Sequence, residues 1–543
     1  MAAKGLAAWL QKPRDTVTRR GLFFQGGLAA LLGAAGGEQR ADAALKVGPQ
    51  LYDSIGVKPV INCKGTFTIM SGSQSLPEVK QAMLEASKHF VHIDELMDAA
   101  GARIAEITGA ESAIVTCGCA AALAHATAAT IAGGDPERIQ RLPYLDGLKN
   151  EVVAPRYSRN VYDHAIRMLG VKMVTVENLD EMRAALGPRT AMVMVLASPP
   201  DTGEFGLEPI AKLAHERGVP VLVDAAAEGL TIPNVHLKRG ADLVAYSGGK
   251  ALRGPQSAGI LIGRKDLIRA AWTNSAPHHA FGRPMKVAKE DIMGMLAAVE
   301  MWIKRDHDAE WKAWESWLDE IASSVKQVDG VTTEVHQPRG LSNYSPRLQI
   351  SWDGAKLGVY GSELEKHLWK TDPRIILAGG SGSHRDNRPS SVSVMPWQMQ
   401  PGDATIVARV LREQLSNPPK IDRGGSSGSP AQVGGQWDVD IEYALSSARH
   451  TLFLEQSGDE LTGSDRGDRT SGDVRGWVEG DRMHASSRHR WEGASFGFTF
   501  DGKVRGDSIE GEVDLGEYFT AKFTAKRHQY GRTSRPQRPR KNI

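Results

Sequence analysis

Ala241-Asp-Leu-Val-Ala-Tyr-Ser247-Gly-Gly-Lys250-Ala-Leu-Arg-Gly254-Pro-Gln-Ser-Ala-Gly259-Ile-Leu-Ile-Gly263 decides how the rest of the chain is read. A short apolar run, 243–246, enters Ser247-Gly248-Gly249 and presents Lys250; a turn at 253–256 leads into a second apolar run, 259–262. Glycines let the backbone bend sharply and leave room for a flat ligand beside the lysine. A lysine at such a strand end, partly shielded from water, offers the neutral amine that a Schiff base requires. In isolation the same stretch also reads as a glycine turn carrying a solvated lysine.

Two upstream stretches separate these readings. Val219-Pro-Val-Leu-Val-Asp224-Ala-Ala-Ala-Glu228 is a buried-type strand ending in a carboxylate, followed by small residues. The pyridine nitrogen of pyridoxal 5'-phosphate (PLP) stays protonated only beside a fixed anion, and its action as an electron sink depends on that proton. A strand-end Asp followed about 25 residues later by a strand-end Lys is the arrangement this cofactor requires. Further back, Ser112-Ala-Ile-Val-Thr116-Cys117-Gly118-Cys119-Ala120 reads as a strand, a tight turn and a helix start, where bare backbone N–H groups cradle a phosphate. Each stretch alone is an ordinary α/β turn. In this order they predict a PLP site, with Asp224 and Lys250 catalytic and Thr116, Cys117, Gly118, Cys119 and Ser247 around the cofactor.

The residues carrying a family resemblance are Val60-Ile-Asn62-Cys-Lys-Gly65-Thr66, Thr108-Gly-Ala-Glu111, Asp224-Ala-Ala, Ser247-Gly-Gly-Lys250, Gly254-Pro255-Gln256 and Gly282-Arg283-Pro-Met-Lys286-Val-Ala-Lys289-Glu290. Residues 51–298 resemble the selenocysteine synthase-like group of fold type I PLP enzymes, within it most nearly the D-glucosaminate-6-phosphate ammonia-lyase branch. The resemblance implies α,β-elimination on an amino acid or 2-amino sugar acid. Lys250, displaced by the amino substrate, would remove its α-proton, and loss of a β-substituent would lead to a keto product and ammonia. It also implies an aromatic or basic side chain over the cofactor ring, for which Tyr157 and His164 are the candidates. Arg283 and Lys286 stand where selenocysteine synthases carry an anion-binding Arg-x-x-Arg, so a carboxylate or phosphate of the substrate is their expected ligand. Arg374, in Asp372-Pro-Arg-Ile, falls where related enzymes place a substrate-facing loop. A homodimer or larger homo-oligomer is expected by analogy.

At 543 residues the chain exceeds a single core, and its formal charge of +2 speaks against a dedicated nucleic-acid binder. Its three cysteines, Cys63, Cys117 and Cys119, provide no disulfide framework, and two of them one residue apart make a poor zinc site, so no metal is expected. Thr18-Arg19-Arg20-Gly-Leu-Phe-Phe24 opens an uncharged stretch ending before Glu38, with Ala41-Asp-Ala43 as a small-x-small cleavage pattern. Residues 1–43 therefore read as a twin-arginine export signal, which places the mature protein in the periplasm or outside the cell; a cytoplasmic protein with an N-terminal arm is the alternative. No stretch reads as a transmembrane helix.

Strands at 112–116, 151–154, 172–176, 190–197 and 219–224 alternate with helices such as 179–186 and 203–217, giving a mostly parallel sheet with helices on both faces in a large domain, 44–300. Residues 301–417 read as a small α+β domain, whose Trp302, Trp311, Trp314 and Trp317 form a helical packing stripe. A Gly/Ser/Pro linker (418–432) follows. Residues 433–528 then alternate polar and apolar between Ser-Gly-Asp, Glu-Gly-Asp and Arg-Gly-Asp turns, a small antiparallel β-barrel or sandwich with no acid–base constellation. A basic tail, 529–543, ends the chain.

Three other functions compete with this reading. Selenium transfer to seryl-tRNA would need an N-terminal tRNA-binding module, and Gly72-Ser73 stands where that family has Gly-Arg. A cysteine desulfurase would need a cysteine beyond the lysine, and none follows Cys119. The PLP fold could also be a non-catalytic scaffold for a binding barrel.

Overall fold

The computed structural model describes residues 45–385, 389–421 and 428–530. The twin-arginine segment, the linker centre and nearly all of the basic tail therefore lie outside the described residues. Residues up to Val60 form a separate unit, in which a 3-10 turn at Asp53–Ile55 closes on Gly56 at φ 76°. Among the described residues no helix is long and apolar enough to cross a membrane.

From Ile61 onward the strands are β1 (Ile61–Cys63), β2 (Ser112–Thr116), β3 (Glu151–Pro155), β4 (Lys172–Val176), β5 (Thr190–Leu196), β6 (Val221–Asp224), β7 (Leu243–Ser247) and β8 (Gly259–Gly263). Seven of them form one sheet in the order β2-β8-β7-β6-β5-β3-β4, parallel except where β8 runs against both its neighbours. The run Thr-Ala-Met-Val-Met-Val-Leu of β5 is buried almost throughout, as a strand covered on both faces must be. Helix Gly118–Ala132 carries no polar face and is correspondingly buried on nearly every side. The sheet is mostly parallel, as the alternating pattern predicts.

Helices His307–Val325 and Gly361–Leu368 pack on an antiparallel sheet, β12-β13-β10-β9, built from β9 (Thr332–His336), β10 (Arg347–Trp352), β12 (Gly380–Ser381) and β13 (Ser390–Val394), and helix Asp403–Ser416 packs against His307–Val325. One boundary differs from the sequence reading. The small domain also recruits β1, which pairs in parallel with β11 (Ile375–Leu377), and Cys63 is buried in its core. The reason is that Ile61 and Cys63 are apolar and find an open strand edge there.

Eight strands close into the C-terminal barrel: β14 (Gly435–Glu442), β15 (Ser447–Ser457), β16 (Glu460–Arg466), β17 (Ser471–Glu479), β18 (Arg482–Trp491), β19 (Ala494–Arg505), β20 (Ser508–Asp514) and β21 (Thr520–Arg527). Closure leaves no unpaired edge. The linker ends earlier than its composition suggests: Ala431 and Val433 pack on the barrel core, and Ala431 N–H donates to Gly480 O at 2.7 Å. Inside, one end is apolar, with Trp437 and Met483 fully buried, and Phe500 and Phe523 fill the middle. The other end is polar, with His450, Asp465, Ser487 and His489 buried. Both ends meet the PLP fold. Arg385 Nη1 donates to Asp459 at 2.8 Å at the apolar end, and Arg159 Nη2 to Glu492 at 2.6 Å at the polar end. Gly493 comes so close that a Cβ there would lie 2.1 Å from the Asn160 carbonyl oxygen.

Candidate active site

Parallel pairing brings the carboxyl ends of β6 and β7 together, with Asp224 opposite Ala245. Lys250 follows β7 by three residues, and the turn between admits no side chains. A Cβ on Gly248 would lie 2.7 Å from Met295 Sδ, and one on Gly249 2.6 Å from Gln256 Cα. On the other side β2 feeds helix Gly118–Ala132, which opens on Gly118 at φ 80°. No side chain caps its first amides, which leaves them available to an anion.

These three elements enclose a pocket of about 140 Å³ lined by Thr68, Gly118, Cys119, Ala120, Leu123, Tyr162, Asp224, Ala226, Ser247, Lys250 and Gln256. Of the residues singled out in the sequence, Gly118, Cys119, Asp224, Ser247 and Lys250 meet there. The Asp224 carboxylate is buried. It accepts from the Ala226 amide at 3.1 Å and faces the Cys119 thiol at 3.7 Å. Burial pushes its proton affinity up, against the partial relief of the Ala226 amide and the Lys250 charge. Burial likewise keeps Cys119 a thiol, with Asp224 adding to the effect.

The remaining expected residues lie elsewhere. Thr116 is buried and spends its hydroxyl on Gly118 O at 2.9 Å, so it shapes the helix start without facing the pocket. Cys117 sits at the N-cap, outside the lining. Tyr157 turns away: its hydroxyl donates to Phe205 O at 3.1 Å and its ring packs edge-on against Phe205. His164 is exposed on helix Asp163–Arg167. The aromatic residue at the pocket is Tyr162, its ring centroid 5.9 Å from Lys250 Nζ. The Asn160 side chain fixes the chain there by accepting from the Tyr162 amide at 2.7 Å. Thr68 and Gln256 were also missed; Gln256 Nε2 donates to Thr68 O at 3.1 Å, joining two lining segments distant in sequence. Arg283 and Lys286 are exposed and line no part of the pocket. Arg374 stacks on Trp369 at 4.7 Å and does not line it either.

The donor set fits PLP. Uncapped amides and the Ser247 hydroxyl suit the phosphate, the small Ala226 leaves room for a flat ring, and Asp224 is a buried carboxylate in want of a cation.

An aminotransferase class-V family model matches residues 79–277. The chain is 30% identical over 359 residues to the D-glucosaminate-6-phosphate ammonia lyase of Salmonella typhimurium, spanning 61% of this chain and 95% of that enzyme. It belongs to the same family of fold type I PLP enzymes. A solved structure of D-glucosaminate-6-phosphate ammonia-lyase superposes with a TM-score of 0.60 at 28% identity, covering 68% of this chain and 99% of the other. Two further relatives in the family are a 5'-C-glycyluridine monooxygenase-decarboxylase of a Streptomyces species and an L-seryl-tRNA(Sec) selenium transferase of Moorella thermoacetica. The first is 31% identical over 69% of this chain and 93% of that protein, the second 26% identical over 68% and 76%. The chain is thus a PLP-dependent enzyme of the lyase and transferase type. Its barrel lies beyond the family-model match.

A larger cavity of about 570 Å³ holds neither Asp224 nor Lys250. It is lined by Trp302, Trp311, Trp314 and Trp317, with Tyr344 and Trp397. The expected packing stripe is therefore only half-buried, a cavity wall where a sealed core was anticipated.

Proposed function

We propose that the chain carries out α,β-elimination on an amino acid or 2-amino sugar acid, in which the β-substituent leaves and hydrolysis of the product gives a keto acid and ammonia, with Lys250 and Asp224 as its catalytic residues. The observation that carries this reading is the convergence of Lys250, the buried Asp224 and the uncapped amides of helix Gly118–Ala132 on one pocket. Bound PLP supplies an electron sink for the charge left on the substrate α-carbon. Asp224 holds the proton on the ring nitrogen, a role in which its high proton affinity is offset by the cation it gains. Lys250 Nζ would hold the cofactor and is placed to take the α-proton of the substrate. Amides 118–120 and the Ser247 hydroxyl hold the phosphate, while Tyr162 borders the pocket on its open side. We further assign Arg283 and Lys286 to the anionic end of the substrate in a homo-oligomer, reaching the pocket of a second copy, because in their own chain they stand away from Lys250.

Ammonia release from 2-amino sugar acids and their phosphate esters tests the reaction, with borohydride trapping of the cofactor on Lys250. Oxygen consumption distinguishes the second reading, an oxygen-dependent decarboxylation, which the comparable likeness to the Streptomyces enzyme favours. Release of ammonia without oxygen uptake supports elimination; oxygen uptake with carbon dioxide and no anaerobic turnover overturns it. Export by the twin-arginine route belongs to the same proposal. It rests on Arg19-Arg20 and the apolar run behind them, and Arg19→Lys/Arg20→Lys should retain the protein in the cytoplasm.

A further inference from the structure

The polar end of the barrel brings two imidazoles and a carboxylate to one point. His450 on β15, Asp465 on β16 and His489 on β18 are 5%, 0% and 0% exposed, and their ligand atoms lie within 4.8 Å of one another. His450 Nδ1 is 2.7 Å from Asp465 Oδ1, and His489 Nε2 is 3.0 Å from Oδ2. Outer partners hold the set in place. Ser487 Oγ donates to Asp465 Oδ2 at 2.7 Å, and Thr470 Oγ1 lies 2.8 Å from His489 Nδ1. The Phe498 ring stands edge-on to both imidazoles, at 4.7 and 4.9 Å, and keeps the site dry.

We propose that this cluster is a binding site for a divalent first-row transition metal, zinc or iron(II), with His450 Nδ1, His489 Nε2 and an Asp465 oxygen as ligands. Two imidazoles and one carboxylate are a donor set of choice for these ions. The tautomers follow from the surroundings. His489 ligates through Nε2 while Nδ1–H donates to Thr470, and His450 ligates through Nδ1 while Nε2–H points toward the turn at Gly467, where a Cβ would come within 3.1 Å of it. With the metal bound, each neutral imidazole keeps its single N–H on the nitrogen turned away from Asp465. Barrel closure by itself does not call for this triad. The rest of the interior is filled by Trp437, Met483, Phe500 and Phe523, and burying a carboxylate costs several kcal/mol that apolar side chains would avoid. The site also stands at the docked end: His489 is three residues from Glu492, which grips Arg159, itself three residues before the pocket-lining Tyr162.

The test is elemental analysis of the full-length protein, expressed without an affinity tag and dialysed against zinc, alongside protein chelated and titrated with cobalt(II). About one equivalent of metal per chain and a visible cobalt spectrum saturating near that ratio are expected. Asp465→Asn and His489→Ala should lose the metal, and Thr470→Val, which leaves all ligands in place, should weaken binding about 10–100-fold. PLP absorbance per chain should be unchanged in Thr470→Val. Less than about a tenth of an equivalent in the zinc-dialysed wild type, where a structural site would be filled, overturns the proposal without reference to any variant. So does full metal retention in a His450→Ala/His489→Ala double variant.

Discussion

Two buried carboxylates, Asp224 beside Lys250 and Asp465 in the barrel, are surrounded in opposite ways. Asp224 has one backbone amide and a distant thiol, and burial drives its proton affinity up. Asp465 is gripped by His450, His489 and Ser487, and these contacts, His450 foremost, outweigh burial and hold its carboxyl below the usual range. A carboxylate left short of partners gains its cation only with a ligand, whereas one flanked by two imidazoles already stands within a donor set. The same isosteric change should therefore read out differently at the two positions.

The largest effect belongs to Lys250. Lys250→Ala removes both the covalent tether and the base, and turnover should fall by about 10⁴-fold or more in an ammonia-release assay. Asp224→Asn should cost about 10²–10³-fold in kcat while leaving the cofactor-free protein at least as stable as wild type in urea titrations. The pH dependence has a definite sign. A raised folded pKa makes Asp224 a destabilising group as pH climbs out of the acid range, so stability of the cofactor-free enzyme should gain from acidification where that group alone titrates. Asp465 does the reverse: its stabilisation is present above the ordinary carboxylate pKa and is lost as pH falls through the lowered one. Asp465→Asn should accordingly destabilise the barrel by about 3–5 kcal/mol, seen as a lower urea midpoint for the Trp437 fluorescence change, with PLP absorbance retained. Equal losses of stability at both positions would break the comparison.

What the sequence disclosed about the two sites follows from how each is assembled. Asp224 ends β6, and Gly118 and Lys250 follow the ends of β2 and β7 within three residues among small neighbours, a local signal, and the parallel sheet does the rest. Tyr162 was missed because the chain after β3 makes a 3-10 turn, Arg156–Ser158, before Asn160 redirects it, so the nearest aromatic in sequence, Tyr157, points elsewhere. Arg283, Lys286 and Arg374 came from a family likeness, and no packing within one chain draws them to Lys250. The barrel triad left a fainter trace. His450 shares the inward parity of Leu452 and Leu454, Asp465 that of Leu461, and His489 that of Met483, Ala485 and Ser487. Counting alternate residues along each strand would have flagged three polar side chains pointing inward at one end, but only closure of the barrel shows that they meet.

The smallest expected effects sharpen the placement of the aromatic residue. Tyr162 borders the pocket about half-exposed, with its ring on the side of Lys250. Tyr162→Ala removes that ring and should raise KM several-fold while lowering kcat less, since the loss is mainly of ground-state contact. Tyr157→Phe deletes one hydrogen bond to Phe205 O, an effect of about 1 kcal/mol on stability, with unchanged kinetics. His164→Ala, at an exposed position, should alter stability by no more than about 0.5 kcal/mol and leave KM where it was. Measuring KM for all three orders them by distance from the reacting atoms. A larger KM change in Tyr157→Phe or His164→Ala than in Tyr162→Ala would mean that the segment 156–164 turns over in the working enzyme, and that the pocket drawn around Lys250 has the wrong wall.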